Sequence, residues 1–237
     1  MNRFAIIGES AENLIDPLER RGYKVIVMPR FSMLDFPVCT HPDMLFTKIG
    51  RYIITSNAYY LVAKKSFDYI CNETGAELIL DEASQFSPYP NEARFNVLSL
   101  GNIVVGNKNI ASPEILGICD KLLYKFVHVN QGYSACSTAK LSGAAISADN
   151  GICKALKSNG YNCLKIDEGH IKLENYGFGF IGGASGFDEY SNTLFFNGYI
   201  SLHSNFNDIS AFSSAVGTKI VSLSDGPLVD CGGIVFF

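Results

Sequence analysis

The sequence predicts one α/β domain over residues 1–237, built as a five-fold pseudosymmetric α/β propeller. Three observations predict it. A helix with an apolar face followed by a short apolar strand occurs five times along the chain. Its 237 residues divided among five units give about 47 each, enough for a helix, three strands and their turns. Both ends of the chain, Arg3-Phe4-Ala5-Ile6-Ile7 and Gly233-Ile234-Val235-Phe236-Phe237, are apolar strands that alone would be open edges and that complete a fifth unit if they pair.

The helices are read from apolar residues at i, i+3, i+4 spacing. Their faces are Leu14/Ile15/Leu18, Val62/Ala63/Phe67/Ile70/Cys71, Ile115/Ile118/Cys119/Leu122/Leu123, Ile152/Ala155/Leu156 and Ile209/Phe212/Val216. Four end at or near a glycine suited to a left-handed cap, Gly22, Gly75, Gly160 and Gly217; the third has none. Strands follow at Lys24–Met28, Glu77–Leu80, Phe126–Val129, Asn162–Ile166 and Lys219–Leu223. Further strands precede the later helices at Tyr52–Thr55, Asn102–Val105, Ala144–Ser147 and Thr193–Phe196. An ordinary α/β sandwich would show the same alternation, and it is the two terminal strands that favour a ring.

Composition narrows the partners. The chain is 47% hydrophobic and 18% charged, a globular balance that excludes a mainly disordered chain. Lys and Arg number 19 against 23 Asp and Glu, for a net charge of -4, and no segment is dense in basic residues. Nucleic-acid surfaces need clustered positive charge, so no nucleic-acid partner is expected. No apolar stretch reaches the ~18 residues of a membrane span, and the segment from Met1 lacks the apolar core of a signal peptide. No membrane partner is expected, and the location is read as cytoplasmic. Seven cysteines (39, 71, 119, 136, 153, 163, 231) are odd in number, scattered and without a CxxC pair, which points to buried free thiols rather than a disulfide framework or a zinc site. The expected partner is a small-molecule substrate or ligand, with no cofactor and no metal; the oligomeric state is left open.

Candidate chemistry lies in the loops, which a ring would bring together. They hold His41-Pro42-Asp43-Met44-Leu45-Phe46, Gln131-Gly132-Tyr133-Ser134-Ala135-Cys136-Ser137, Gly169-His170-Ile171-Lys172 and Asp225-Gly226-Pro227-Leu228-Val229-Asp230-Cys231-Gly232-Gly233. His41 and His203 follow their strands in similar ways but suggest no metal pair, and His128 reads as structural. The glycine-rich run from Gly177 to Gly186 is not a phosphate loop, because a strand rather than a helix follows it. Ser87-Pro88-Tyr89-Pro90-Asn91 reads as a loop at a cavity rim.

These segments resemble the guanidine-modifying enzyme superfamily, the penteins: arginine deiminases, amidinotransferases and dimethylarginine dimethylaminohydrolases. Pro42-Asp43-Met44-Leu45-Phe46 is similar to the family's substrate segment, Gly169-His170-Ile171-Lys172 to the segment around its catalytic histidine, and Asp225 to Cys231 to the stretch ending in its nucleophilic cysteine. The order Asp, His, Cys is the family's, and the Gln131-Gly132-Tyr133 and Gly179-Phe180-Ile181-Gly182-Gly183 patterns resemble an uncharacterised bacterial branch of it. In the third unit, where the family places a second carboxylate, this chain has Cys136 and no acid in register.

The resemblance implies the five-fold α/β propeller and a guanidine-modifying hydrolase or amidinotransferase activity on a guanidine- or amidine-like molecule. Cys231 would be the nucleophile and His170 the acid/base, while Asp43, Cys136 and Asp230 would be the candidate substrate-binding residues. The residue types suit the chemistry. A guanidinium is held by carboxylates through paired charge-assisted hydrogen bonds, its carbon is attacked by a thiolate, and a histidine can protonate the leaving amine. Each residue also has a plainer reading: Cys231 and Cys136 as packing thiols, His170 as a solvent-facing strand residue, Asp43 as a turn residue. A non-catalytic binding or scaffold protein on the same fold is the alternative, since fold does not fix function.

Overall fold

The computed structural model describes residues 3–237; Met1 and Asn2, the start of the segment read above for a leader, lie outside the described residues. From the amino end, β1 (Arg3–Gly8) leads through a 3-10 turn and α1 (Ile15–Glu19) to β2 (Tyr23–Met28), which runs parallel to β1 with Ala5 opposite Val25. A single helical turn, α2 (Pro42–Leu45), precedes a unit that then recurs.

In that unit a tight antiparallel hairpin is followed by a helix and a strand parallel to the hairpin's second arm. Its first instance is β3 (Phe46–Ile49), β4 (Tyr52–Ser56), α3 (Asn57–Thr74) and β5 (Glu77–Asp81). The second is β6 (Leu98–Leu100), β7 (Ile103–Gly106), α4 (Pro113–Leu122) and β8 (Lys125–His128). The third is β9 (Thr138–Leu141), β10 (Ala144–Ser147), α5 (Asn150–Ser158) and β11 (Asn162–Lys165). A short β12 (Ile171–Lys172) precedes the fourth, β13 (Ser185–Asp188), β14 (Thr193–Phe196), α6 (Phe206–Ala215) and β15 (Lys219–Ser222). β12 pairs with β16 (Leu228–Val229), and the chain ends on β17 (Val235–Phe236).

β17 runs antiparallel to β1, with Ala5 opposite Phe236 and Ile6 opposite Val235. Mutual bonds between Phe4 and Phe237 extend the pairing. The sheet β17-β1-β2 therefore has the order of the four other three-stranded sheets, assembled from both ends of the chain.

Burial follows position in each sheet. The middle strands β4, β7, β10 and β14 are buried along their whole length, whereas β8 and β15 are half-buried with exposed ends. Middle strands flanked on both sides read as continuous apolar runs, which is why these were visible in the sequence. The helix faces fit apart from two residues. Val62 is exposed and α3 instead buries Tyr59, Ala63, Phe67 and Ile70. Leu123 is 89% exposed, beyond the end of α4, at φ 58. It takes the left-handed cap that Gly75 takes after α3, so the third helix is capped without a glycine.

Between the sheets lies a cavity of about 310 Å³, lined by one strand from each: β3, β6, β9, β13 and β17. Among the described residues no helix is long and apolar enough to cross a membrane.

Candidate active site

Asp43 is placed by α2, whose first residue Pro42 presets the helical φ and leaves no N–H unpaired. The Asp43 N–H donates to the Gly232 carbonyl at 3.1 Å, which ties this turn to the C-terminal segment. Gly232 has φ +77, and a Cβ there would lie 2.3 Å from the Cβ of His41, so only glycine fits. Asp43 lines the cavity wall. The Cys136 thiol donates to its Oδ2 at 2.8 Å, while its Oδ1 is buried and accepts no hydrogen bond.

Asn96, in the loop before β6, holds the thiol in place. Its Nδ2 donates to Cys136 Sγ at 2.9 Å, and its Oδ1 accepts the N–H groups of Ala135 at 2.8 Å and Cys136 at 3.1 Å. Asp230 brings a second carboxylate beside Asp43. Its Oδ2 accepts from the Phe180 N–H at 2.9 Å and its Oδ1 from the Gly232 N–H at 3.1 Å. The glycine-rich run passes close by, and a Cβ on Gly183 would lie 2.0 Å from Asp230 Oδ1. His41 Nδ1 is 3.7 Å from the same oxygen, beyond hydrogen-bond reach.

Burial favours the protonated form of every acid in the cluster. Burial first, then the nearby Asp230 charge, raises the pKa of Asp43 well above the usual carboxylate range, and burial raises Asp230. Burial and the two carboxylates push the Cys136 thiol far up. Burial lowers His41 to about 4, so its imidazole is neutral at pH 7 and makes no ion pair.

The structure thus brings Asp43, Cys136 and Asp230 together, with Asn96 and His41. It does not pair Cys231 with His170, contrary to the sequence expectation. Asp230 N–H bonds to Lys172 O and Cys231 N–H to Gly183 O, so these consecutive residues turn to opposite neighbours. As Asp230 faces Asp43, the Cys231 side chain enters the apolar cluster of Ala5, Leu14, Leu223 and Ile234. It is 1% exposed, its thiol lies 3.6 Å from Gly183 O, and burial pushes its pKa up to about 12. His170 follows Gly169 with both residues at positive φ, which turns the ring against His203 at 5.4 Å between centroids. The second carboxylate near Asp43 is Asp230, from the C-terminal segment, and not a residue of the third unit. Asn96 carried no motif that could have flagged it.

A model of a family of unknown function (DUF6873) matches residues 5–235. The chain belongs to this family. No curated protein matches it by sequence. Among solved structures, a dimethylarginine dimethylaminohydrolase adduct with 4-chloro-2-hydroxymethylpyridine is 12% identical, with TM-score 0.59 over 100% of both chains. A cysteine-to-serine mutant of the dimethylarginine dimethylaminohydrolase from Pseudomonas aeruginosa, complexed with citrulline, is 10% identical, with TM-score 0.55 over 94% of this chain and 92% of that one. An amidinotransferase from Microseira wollei is 14% identical, with TM-score 0.50 over 90% of this chain and 74% of that one. The fold of this chain is thus similar to that of the two dimethylarginine dimethylaminohydrolase structures.

Proposed function

We propose that the five sheets close as a ring around the cavity and that the protein takes a small guanidine- or amidine-like cation at the Asp43–Asp230 end, with Cys136 as the reacting thiol. The observation that carries this reading is the buried, unpartnered Asp43 Oδ1 at the cavity wall, next to a thiol and a second carboxylate. A buried acceptor without a donor costs about 1–3 kcal/mol, and a planar cation with paired N–H groups would satisfy it.

Such a cation would also reverse the electrostatics. Its charge favours ionised Asp43 and Asp230 and makes the thiolate accessible. The Cys136 proton would then pass to Asp43 Oδ2, the sulfur would bond the central carbon, and an amine would leave with a proton. Water would next displace sulfur, returning the thiol and a urea-type product. A second reading, binding without turnover, is supported by the neutral His41 and by the packing of the His170 ring against His203.

Peptide mass spectrometry after 2-chloroacetamidine treatment tests the proposal. Labelling should fall on Cys136, be blocked by methylguanidine, vanish in Cys136→Ser and drop about tenfold or more in Asp43→Asn. Modification at Cys231 that survives Cys136→Ser would return the nucleophile's role to Cys231. Methylguanidine binding with neither thiol labelled would leave the binding reading standing and remove the catalytic one.

A further inference from the structure

The strands lining the cavity begin near Asp43, Gly182 and Gly232 and run toward Lys48 on β3 and Lys140 on β9, so the cavity has a carboxylate end and a lysine end. Nothing in the reading above uses the lysines. Lys48 Nζ donates to the Phe236 carbonyl at 2.7 Å and lies 4.3 Å from the centre of the Phe237 ring. Neither contact carries a full negative charge. Lys140 Nζ stands 3.7 Å from Glu189, whose side chain is 77% exposed, a pairing that solvent screens. The other acid at this end, Asp188, is already engaged, since it accepts from Tyr23 Oη and from the N–H groups of Tyr190 and Ser191. Two ammonium groups on different sheets therefore meet at one end of the cavity, where Glu189 is the weakly committed carboxylate beside them.

We propose that the lysine end of the cavity binds a small organic carboxylate, its anionic group on Lys48 and Lys140 and its apolar body against the cavity's aromatic walls. The walls decide for an organic anion over a bare inorganic one. Phe46, Phe187, Tyr190, Phe236 and Phe237 all line the cavity, and about 310 Å³ is enough for a ring-sized molecule. A strongly hydrated ion would gain nothing from those surfaces. The electrostatics agree. Burial, then the neighbouring Lys140, lowers Lys48 to about 8, and burial lowers Lys140 in spite of Glu189, so the charge beside them does not fully offset the cost of burying two ammonium groups, and an anion would. The charged groups acting on Lys48 are Lys140, Glu189 and Asp188. The site stands whether or not the carboxylate end takes a cation.

Isothermal titration of the full chain with benzoate, and in a separate arm with inorganic phosphate at matched ionic strength, tests this. Benzoate should bind saturably at 1:1, about tenfold or more weaker in Lys48→Met and in Lys140→Gln. It should bind unchanged in the surface variant Lys64→Met, and more weakly as pH rises through 8 and Lys48 loses its proton. Lys140→Arg, which keeps the charge if Lys140→Gln does not fold, should retain binding. Absence of saturable benzoate binding, survival of binding in both lysine variants, or tighter binding of phosphate than of benzoate would overturn the proposal.

Discussion

At the scale of single residues, the cluster around Asp43 shows how burial moves carboxyl groups toward neutral pH. A carboxyl whose pKa rises on folding holds its proton more tightly in the folded chain. Its contribution to stability is whole below the ordinary carboxylate pKa of about 4 and is lost as pH rises through the raised folded value. The unliganded protein should therefore lose stability between about pH 4 and 7, and Asp43→Asn should make that fall shallower. Thermal unfolding across this range measures it, and equal slopes in the two proteins would refute the assignment. Methylguanidine should raise the wild-type midpoint more at pH 8 than at pH 5, because it meets a carboxylate only at the higher pH. Part of this site was legible in the sequence. Asp43, Cys136 and Asp230 could be named from their loops, whereas Asn96 could not, because an asparagine before a strand is chemically silent until a thiol and two N–H groups converge on it. The pairing of Cys231 with His170 failed because adjacency in sequence says nothing about which of two neighbours, Asp230 or Cys231, faces the cavity.

At the scale of elements, the end of α4 is where sequence and structure strain against each other. The other long helix, α3, stops at Gly75 with φ 71, which glycine adopts freely, but α4 stops at Leu123 with φ 58. A left-handed conformation costs a residue bearing Cβ roughly 1 kcal/mol, and Leu123 recovers little by packing since its side chain is almost fully exposed. Leu123→Gly should therefore stabilise the protein by up to about 1 kcal/mol, some 2–4 °C in midpoint for a chain of this size. A lower midpoint would show that the exposed leucine contributes something the geometry does not reveal. The elements themselves were legible where one period dominates: the buried middle strands and the i, i+3, i+4 helix faces were found within a residue or two. The leading arms of the hairpins were not individually placed. Runs such as Thr138–Leu141 are four residues long and mix Lys140 with apolar neighbours, because one side faces the cavity and the other packs against protein.

At the scale of the whole molecule, everything depends on how the first and last strands meet. Had the chain stopped short of residue 234, β1 would have one parallel neighbour and an open edge. With β17 in place that edge is covered, and Phe236 enters an aromatic group in which its ring centre lies 5.1 Å from Tyr23 and 5.4 Å from Phe195, residues more than 170 positions apart in sequence. The same strand lines the cavity and accepts the hydrogen bond of Lys48, so terminal pairing and the proposed anion site share one element. Phe236→Ala should accordingly cost about 3–5 kcal/mol, the usual price of emptying a buried aromatic position, which is a large part of the 5–15 kcal/mol that typically separates folded from unfolded chains. Chemical denaturation should show this as a lower midpoint, and removal of residues 234–237 should add self-association detectable by light scattering, because it uncovers the whole edge of β1. A truncated chain that remained monomeric and lost less than about 1 kcal/mol would mean that β1 is secured by β2 and the packing beneath it, and that the meeting of the two ends does not hold the fold together.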